Sequence, residues 1–194
     1  MWRAKSQDES SGEMQIPFTA YADDCTVSGE LAIRTDRLSD FLAQTVEFEV
    51  ASPSFTALDD GRTVSAESCA VERDDFCLIL ATGPRGKAER RLWTRQHPVR
   101  VRVGPYVVVG YLHSPPTIDP FRSTDRRPIG ALTSCVVGYQ DTAGPVWAEA
   151  EAVLINTAKI EHIETASEED LGLAKSLELR IAADPAAKDM TAAV

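Results

Sequence analysis

The sequence predicts an all-β protein of two similar small β units in tandem, with a short C-terminal helix. Three observations predict it. One strand pattern occurs twice: Val27-x-Gly29-x-Leu31, Ala66-Glu67-x-x-Ala70-Val71 and Phe76-x-Leu78 are answered by Val108-x-Gly110-x-Leu112, Ala148-Glu149-x-x-Ala152-Val153 and Ala158-x-Ile160. The spacing agrees at both ends, since Gly110 follows Gly29 by 81 positions and Val153 follows Val71 by 82. Apolar residues alternate with polar ones at the period of a strand, and Gly, Pro and Asp punctuate the runs.

The elements follow in order. Residues 1–14 are polar and contain Ser10-Ser11-Gly12, which reads as a flexible tail. Ile16 to Tyr21 is β-prone. In Cys25 to Arg34 the residues Cys25, Val27, Gly29, Leu31 and Ile33 share one face, and Gly29 marks a bend or bulge. Leu38 to Leu42 forms one helical turn, with Asp36 or Ser39 as its cap. Val46 to Val50 and Phe55 to Leu58 are two strands, and Asp60-Gly61 is a hairpin turn. Thr63 to Val71 runs as one strand, Arg73-Asp74-Asp75 turns, and Phe76 to Leu80 closes the first unit over residues 15–82.

Residues 83–98 read as a basic linker opened by Gly83-Pro84 and closed by Pro98, with a short helix over Lys87 to Trp93. The second unit covers 99–164. Its strands run from Val99 to Leu112, broken at Gly104-Pro105, then Ala131 to Tyr139, Val146 to Ile155 and Lys159 to Ile163. Ser114-Pro115-Pro116 and Asp119-Pro120-Phe121 form a stiff excursion, and Asp141 to Pro145 a turn. Ser167 caps a terminal helix whose first turn carries Glu168, Glu169 and Asp170 and which extends to Ile181; Ala182 to Val194 is a frayed tail.

Composition narrows the function. A hydrophobic content of 43% supplies a core, yet each unit of ~65 residues is too small for one core to be worth more than a few kcal/mol, so the two gain by packing together. No apolar run approaches the ~20 residues of a membrane span, and the N-terminus has no secretory h-region; a cytoplasmic protein is expected. The net charge of −10 argues against a protein built to grip phosphate backbones. The exception is a basic stretch, Arg85, Lys87, Arg90, Arg91, Arg95, Arg100 and Arg102, which is the candidate interaction segment. Cys25, Cys69, Cys77 and Cys135 have neither zinc-ligand spacing nor a C-x-x-C pair and read as small hydrophobes in a reducing compartment, with a Cys25–Cys69 disulfide as the alternative.

Catalytic, cofactor and metal assignments find no motif: there is no P-loop, G-x-G-x-x-G or G-x-S-x-G. His97, His113 and His162 are scattered; His113 is the best placed, in an expected loop beside Pro115-Pro116. The pairs Asp23-Asp24, Asp59-Asp60 and Asp74-Asp75 read as turn residues.

The order of each unit, a bent x-x-G-x-L strand, a middle segment, a turn, a long strand and a short closing strand, resembles the Sm-like (SH3-like) small β-barrel. The closing segments Val71 to Ile79 and Val153 to Ile163 resemble that fold's second motif, and Val27 to Leu31 and Val109 to Leu112 its first. The resemblance implies two tandem small barrels with open edges and, in RNA-binding members, an Asp and Asn in the first loop and an Arg-Gly or Lys-Gly in the late turn. Here the first loop reads Arg34 to Leu38 without Asn, and of the late turns only Arg73 fits. The functional expectation is therefore a non-catalytic interaction or assembly module that docks on a larger complex or self-associates. Single-stranded RNA binding through the basic stretch is the alternative, and a small enzyme using His113 the weaker one.

Overall fold

A computed structural model describes residues 13–83, 94–117 and 127–172. Its strands are β1 (Met14–Ala22), β2 (Cys25–Ile33), β3 (Glu47–Ala57), β4 (Thr63–Ser65), β5 (Ser68–Glu72), β6 (Phe76–Leu80), β7 (Arg95–Val103), β8 (Tyr106–Ser114), β9 (Ile129–Asp141), β10 (Gly144–Asn156) and β11 (Ile160–Thr165). A helix, α1 (Leu38–Gln44), joins β2 to β3, and single 3₁₀ turns at Arg73–Asp75 and Thr157–Lys159 lead into β6 and β11. Residues 1–12 of the N-terminal tail, the Lys87–Trp93 helix, Asp119-Pro120-Phe121, the terminal helix beyond residue 172 and the Ala182–Val194 tail fall outside the described residues, whereas Met14, expected in the tail, already opens β1.

All eleven strands belong to one antiparallel sheet in the order β11-β7-β8-β9-β10-β6-β1-β2-β3-β4, with β5 also on β3. The same succession of partners occurs on either side of the β10–β6 contact: β6-β1-β2-β3 and β11-β7-β8-β9. Two hydrophobic clusters lie along the sheet. Phe18, Leu31, Val50 and Phe76 lie in one; Val101, Tyr106, Val108 and Val137 lie in the other. Edge-on ring pairs tighten both, Phe18–Phe76 at 5.7 Å and Tyr21–Tyr106 at 5.3 Å between centroids.

The paired glycines carry the same local geometry. The β2–β3 register shifts at Gly29 and the β8–β9 register at Gly110. Opposite each stands a serine in left-handed backbone, Ser52 at φ 47° and Ser134 at φ 50°. The partner strand bulges toward the glycine. A Cβ on Gly29 would meet Val50 Cγ1 at 2.7 Å, and one on Gly110 would meet Cys135 Sγ at 2.8 Å. Glycine is required there by close approach of the neighbouring chain.

Several sequence expectations are corrected. Val46–Val50 and Phe55–Leu58 are one strand, β3, because the bulge at Ser52 and Pro53 interrupts the alternation without ending the strand. Thr63–Val71 is two strands, because Ala66-Glu67 folds over that bulge: Ser52 N–H donates to Glu67 O at 2.8 Å and Ala66 N–H to Pro53 O at 3.1 Å. Helix α1 starts after Arg37 with no side-chain cap, so neither Asp36 nor Ser39 serves; Thr35 Oγ1 instead donates to Arg37 O at 2.8 Å. All four cysteines are free; Cys77 and Cys135 are buried while Cys25 and Cys69 are half-buried. The Ser167 cap is present: Asp170 N–H donates to Ser167 Oγ at 3.1 Å and Ser167 N–H donates to Asp170 Oδ2 at 2.9 Å.

The internal match also moves. Val50 and Leu132 each stand two residues before the left-handed serine; Val50 pairs with Cys69 and Leu132 with Val153. Val71 therefore corresponds to Ile155, not Val153, and Phe76 to Ile160, not Ala158. A slip of two residues leaves every side chain on its own face, so apolar alternation is blind to it.

Candidate functional site

Strands β6 and β10 join the two clusters. Val153 pairs with Leu80, Leu154 with Ile79 and Ile155 with Leu78. Each strand is buried on both faces: β6 gives Phe76 and Ile79 to the first cluster and Cys77 and Leu78 to the second, while β10 gives Leu154 to the first and Val153 and Ile155 to the second. That explains the unbroken apolar runs Phe76–Leu80 and Val153–Ile155, which a half-exposed strand would not carry.

Polar contacts close the same junction. Lys159 Nζ donates to Asp23 Oδ2 at 2.7 Å and to Asp75 O at 3.0 Å, Asn156 Nδ2 to Asp74 O at 3.3 Å, and Tyr106 Oη to Ala22 O at 2.6 Å. Cys77 Sγ donates to the other Asp23 oxygen at 3.0 Å. Burial, and then the Asp23 hydrogen bond, push the Cys77 thiol up to about 12, which favours its protonated form where it packs.

The two ends of the sheet are open among the described residues. One end is β11, paired only through β7; the other is β4 and β5, both paired only through β3. Unpaired N–H and C=O groups along such an edge form a template for another strand. The β5 edge exposes Ser68, Ala70 and Glu72, and the β11 edge exposes Glu161, His162, Glu164 and Thr165 around half-buried Ile160 and Ile163. Sequence reading did not single out these edge residues. The nearest signal is the continuous apolar runs of β6 and β10, which mark the strands buried on both faces and which the end strands β11 and β5 lack.

Of the basic stretch, Arg85, Lys87, Arg90 and Arg91 lie outside the described residues. Arg95, Arg100 and Arg102 are residues of β7. Arg100 is already engaged, with Glu164 Oε1 at 3.2 Å and Asp170 Oδ1 at 3.6 Å, while Arg95 and Arg102 are exposed. Arg73, the one residue matching the family's late-turn pattern, is buried and spends its guanidinium on Leu42 O at 3.0 Å and Asp74 Oδ1 at 2.8 Å.

His113 stands on β8 rather than in a loop. Its Nε2 shares a hydrogen bond with Thr133 Oγ1 at 2.7 Å and its Nδ1 with Thr94 Oγ1 at 3.2 Å. Burial, and then neighbouring His97, hold its pKa below the usual histidine value. Both ring nitrogens are thus occupied by hydroxyls, and His97 Nε2 is similarly joined to Ser114 Oγ at 3.1 Å.

No family model matches the chain, and comparison with curated proteins and with solved structures likewise finds no match. No group of three or more metal-ligating side chains occurs among the described residues, and no helix among them is long and apolar enough to cross a membrane. The sheet places main-chain hydrogen-bonding groups at its two open ends.

Proposed function

We propose that this chain is a non-catalytic assembly module built from two tandem small β-barrels of the Sm-like or SH3-like kind, and that its work is to add a strand of another polypeptide at its open edges. The observation that carries this reading is the β6–β10 contact. It joins the halves through three apolar residue pairs and the main-chain bonds between them, and the strands that correspond to β6 and β10 elsewhere in the chain, β11 and β5, lie at the open ends. The matched bulges at Gly29–Ser52 and Gly110–Ser134 support the duplicated barrel. Strand addition of this type draws affinity from the backbone and selectivity from alternate side chains.

Size-exclusion chromatography with light scattering, coupled to isolation from native lysate, tests the reading. The expected result is self-association or a stoichiometric protein partner, with amide exchange slowed in β5 or β11 in the assembled state. A strict monomer that co-purifies with nothing overturns it. Single-stranded RNA binding draws less support, because Arg100 and Arg73 are engaged within the fold. Binding that is undetectable at about 50 mM salt removes that alternative.

A further inference from the structure

We infer that the occupant of each open edge is a second copy of this chain, β5 of one copy lying antiparallel to β11 of the next, and that Glu72 and Glu161 meet in that contact and weaken it. The inference rests on the edge-docking reading above and deepens it by naming the occupant and the register.

The register comes from the chain's own junction. Cys69, Ala70 and Val71 correspond to Val153, Leu154 and Ile155, as the pairings with Val50 and Leu132 require. On the other side, Ala20 pairs with Ile79 and Tyr21 with Leu78; eighty-one positions on, Val101 pairs with Ile163 and Arg102 with His162. Both ladders then skip one residue, Cys77 in β6 and Glu161 in β11. Leu78, Ile79 and Leu80 thus correspond to His162, Ile163 and Glu164. Carrying over the pairs Val153–Leu80, Leu154–Ile79 and Ile155–Leu78 puts Cys69 opposite Glu164, Ala70 opposite Ile163 and Val71 opposite His162. The next pair along is Glu72 with Glu161, both exposed in the single chain.

The contact is heterologous: each copy offers one β5 edge and one β11 edge, so association propagates head to tail instead of ending at a two-fold dimer. It is also weaker than the internal junction. Lys159, third residue of its 3₁₀ turn, has Asp75 as its counterpart, and Asp23, first residue of the β1–β2 turn, has Gly104. The ion pair that closes the internal junction is therefore missing between copies, and two like charges face each other in its vicinity.

Sedimentation velocity of the full chain at low salt tests this with wild type, Glu72→Lys, Glu161→Lys, the double reversal and Ala70→Glu. Each single reversal is expected to place Lys opposite Glu and tighten association about five-fold. The double reversal restores a like pair and returns association to the wild-type level, although it moves the net charge of −10 furthest toward zero. Ala70→Glu, at an exposed position, weakens it. A double reversal that associates more than either single variant reports general charge relief and overturns the pairing. Association that Ala70→Glu disrupts but neither reversal alters also overturns the pairing, while leaving the edge-docking reading intact. Monomers in all five forms overturn the second copy as occupant and leave docking of a different protein to the lysate experiment.

Discussion

Lys159 Nζ lies 2.7 Å from Asp23 Oδ2 although 136 residues of chain separate the two. The hydrogen bond from Lys159, and then that from Cys77, hold the Asp23 carboxyl below the usual carboxylate range. Burial is the largest single influence on Lys159 and opposes its charge, but the bond to Asp23 and the negative groups around it together outweigh burial and raise that pKa above the ordinary lysine value. The pair contributes only when both groups are charged. Asp23's share is present above the usual carboxylate range and lost as pH falls through its lowered pKa. Lys159's share is present below the usual lysine value and lost as pH rises through its raised pKa. Because the Asp23 side chain is 64% exposed, solvent screening limits Lys159→Ala to a cost of about 0.3 to 1 kcal/mol near neutrality. Urea unfolding across pH checks this: the gap between wild type and variant should narrow at both the acid and alkaline ends, and a constant gap would refute the assignment.

Gly110→Ala is expected to destabilise by about 1 to 3 kcal/mol, since its Cβ would sit 2.8 Å from Cys135 Sγ and 3.1 Å from Thr133 O. Adding Cys135→Ala removes the sulfur but not the carbonyl, so the double variant should show a smaller loss than the sum of the two single ones. Gly29→Ala should behave like Gly110→Ala, its Cβ lying 2.7 Å from Val50 Cγ1 and 2.9 Å from Ala51 O. Denaturant midpoints report all of these, and an unchanged midpoint for either glycine variant would contradict the matched bulges.

Leu154 is 2% exposed and lies in the first cluster although its strand, β10, runs chiefly through the second. Leu154→Ala is expected to cost about 2 to 5 kcal/mol. Because β6 and β10 serve both clusters, the loss should lower one shared transition in calorimetry. Two resolved transitions, only one of them moved by the substitution, would show that the clusters unfold separately.

Thiol reactivity gives a fourth test. Burial, and then Asp24, raise Cys25 to about 11; burial, and then Asp23, raise Cys77 to about 12; burial raises Cys135 to about 12 despite a backbone hydrogen bond at Val153. Native protein at about pH 8 should alkylate slowly at these three and rapidly only after denaturation. Fast modification of Cys77 in the native state, read by peptide mass, would mean that the junction opens, and fast modification of Cys135 that the second cluster does.

The strands and both bulge glycines were legible because alternation and punctuation are local. Gly29 and Gly110 could be matched by spacing alone. The second and third segments align two residues away from where the spacing sets them, since period two hides an even slip. The single β3 was hidden by Ser52 and Pro53, whose break in pattern imitates a strand end. The β6–β10 pairing was unread because partners 70 or more positions apart leave no mark in local spacing; only the double-sided apolarity of Phe76–Leu80 betrays it. Arg100 looked free for a ligand because Glu164 and Asp170, its neighbours in space, lie far along the chain.

The sharing of β6 has a practical corollary for anyone cutting this chain. A fragment ending near residue 83 would keep β6 but turn Cys77 and Leu78 out to water, and a fragment starting near residue 94 would do the same to Leu154 of β10. Each piece would carry a raw, sticky seam, so expression in halves should yield aggregates, while co-expression of the two should rescue solubility by letting the seams meet.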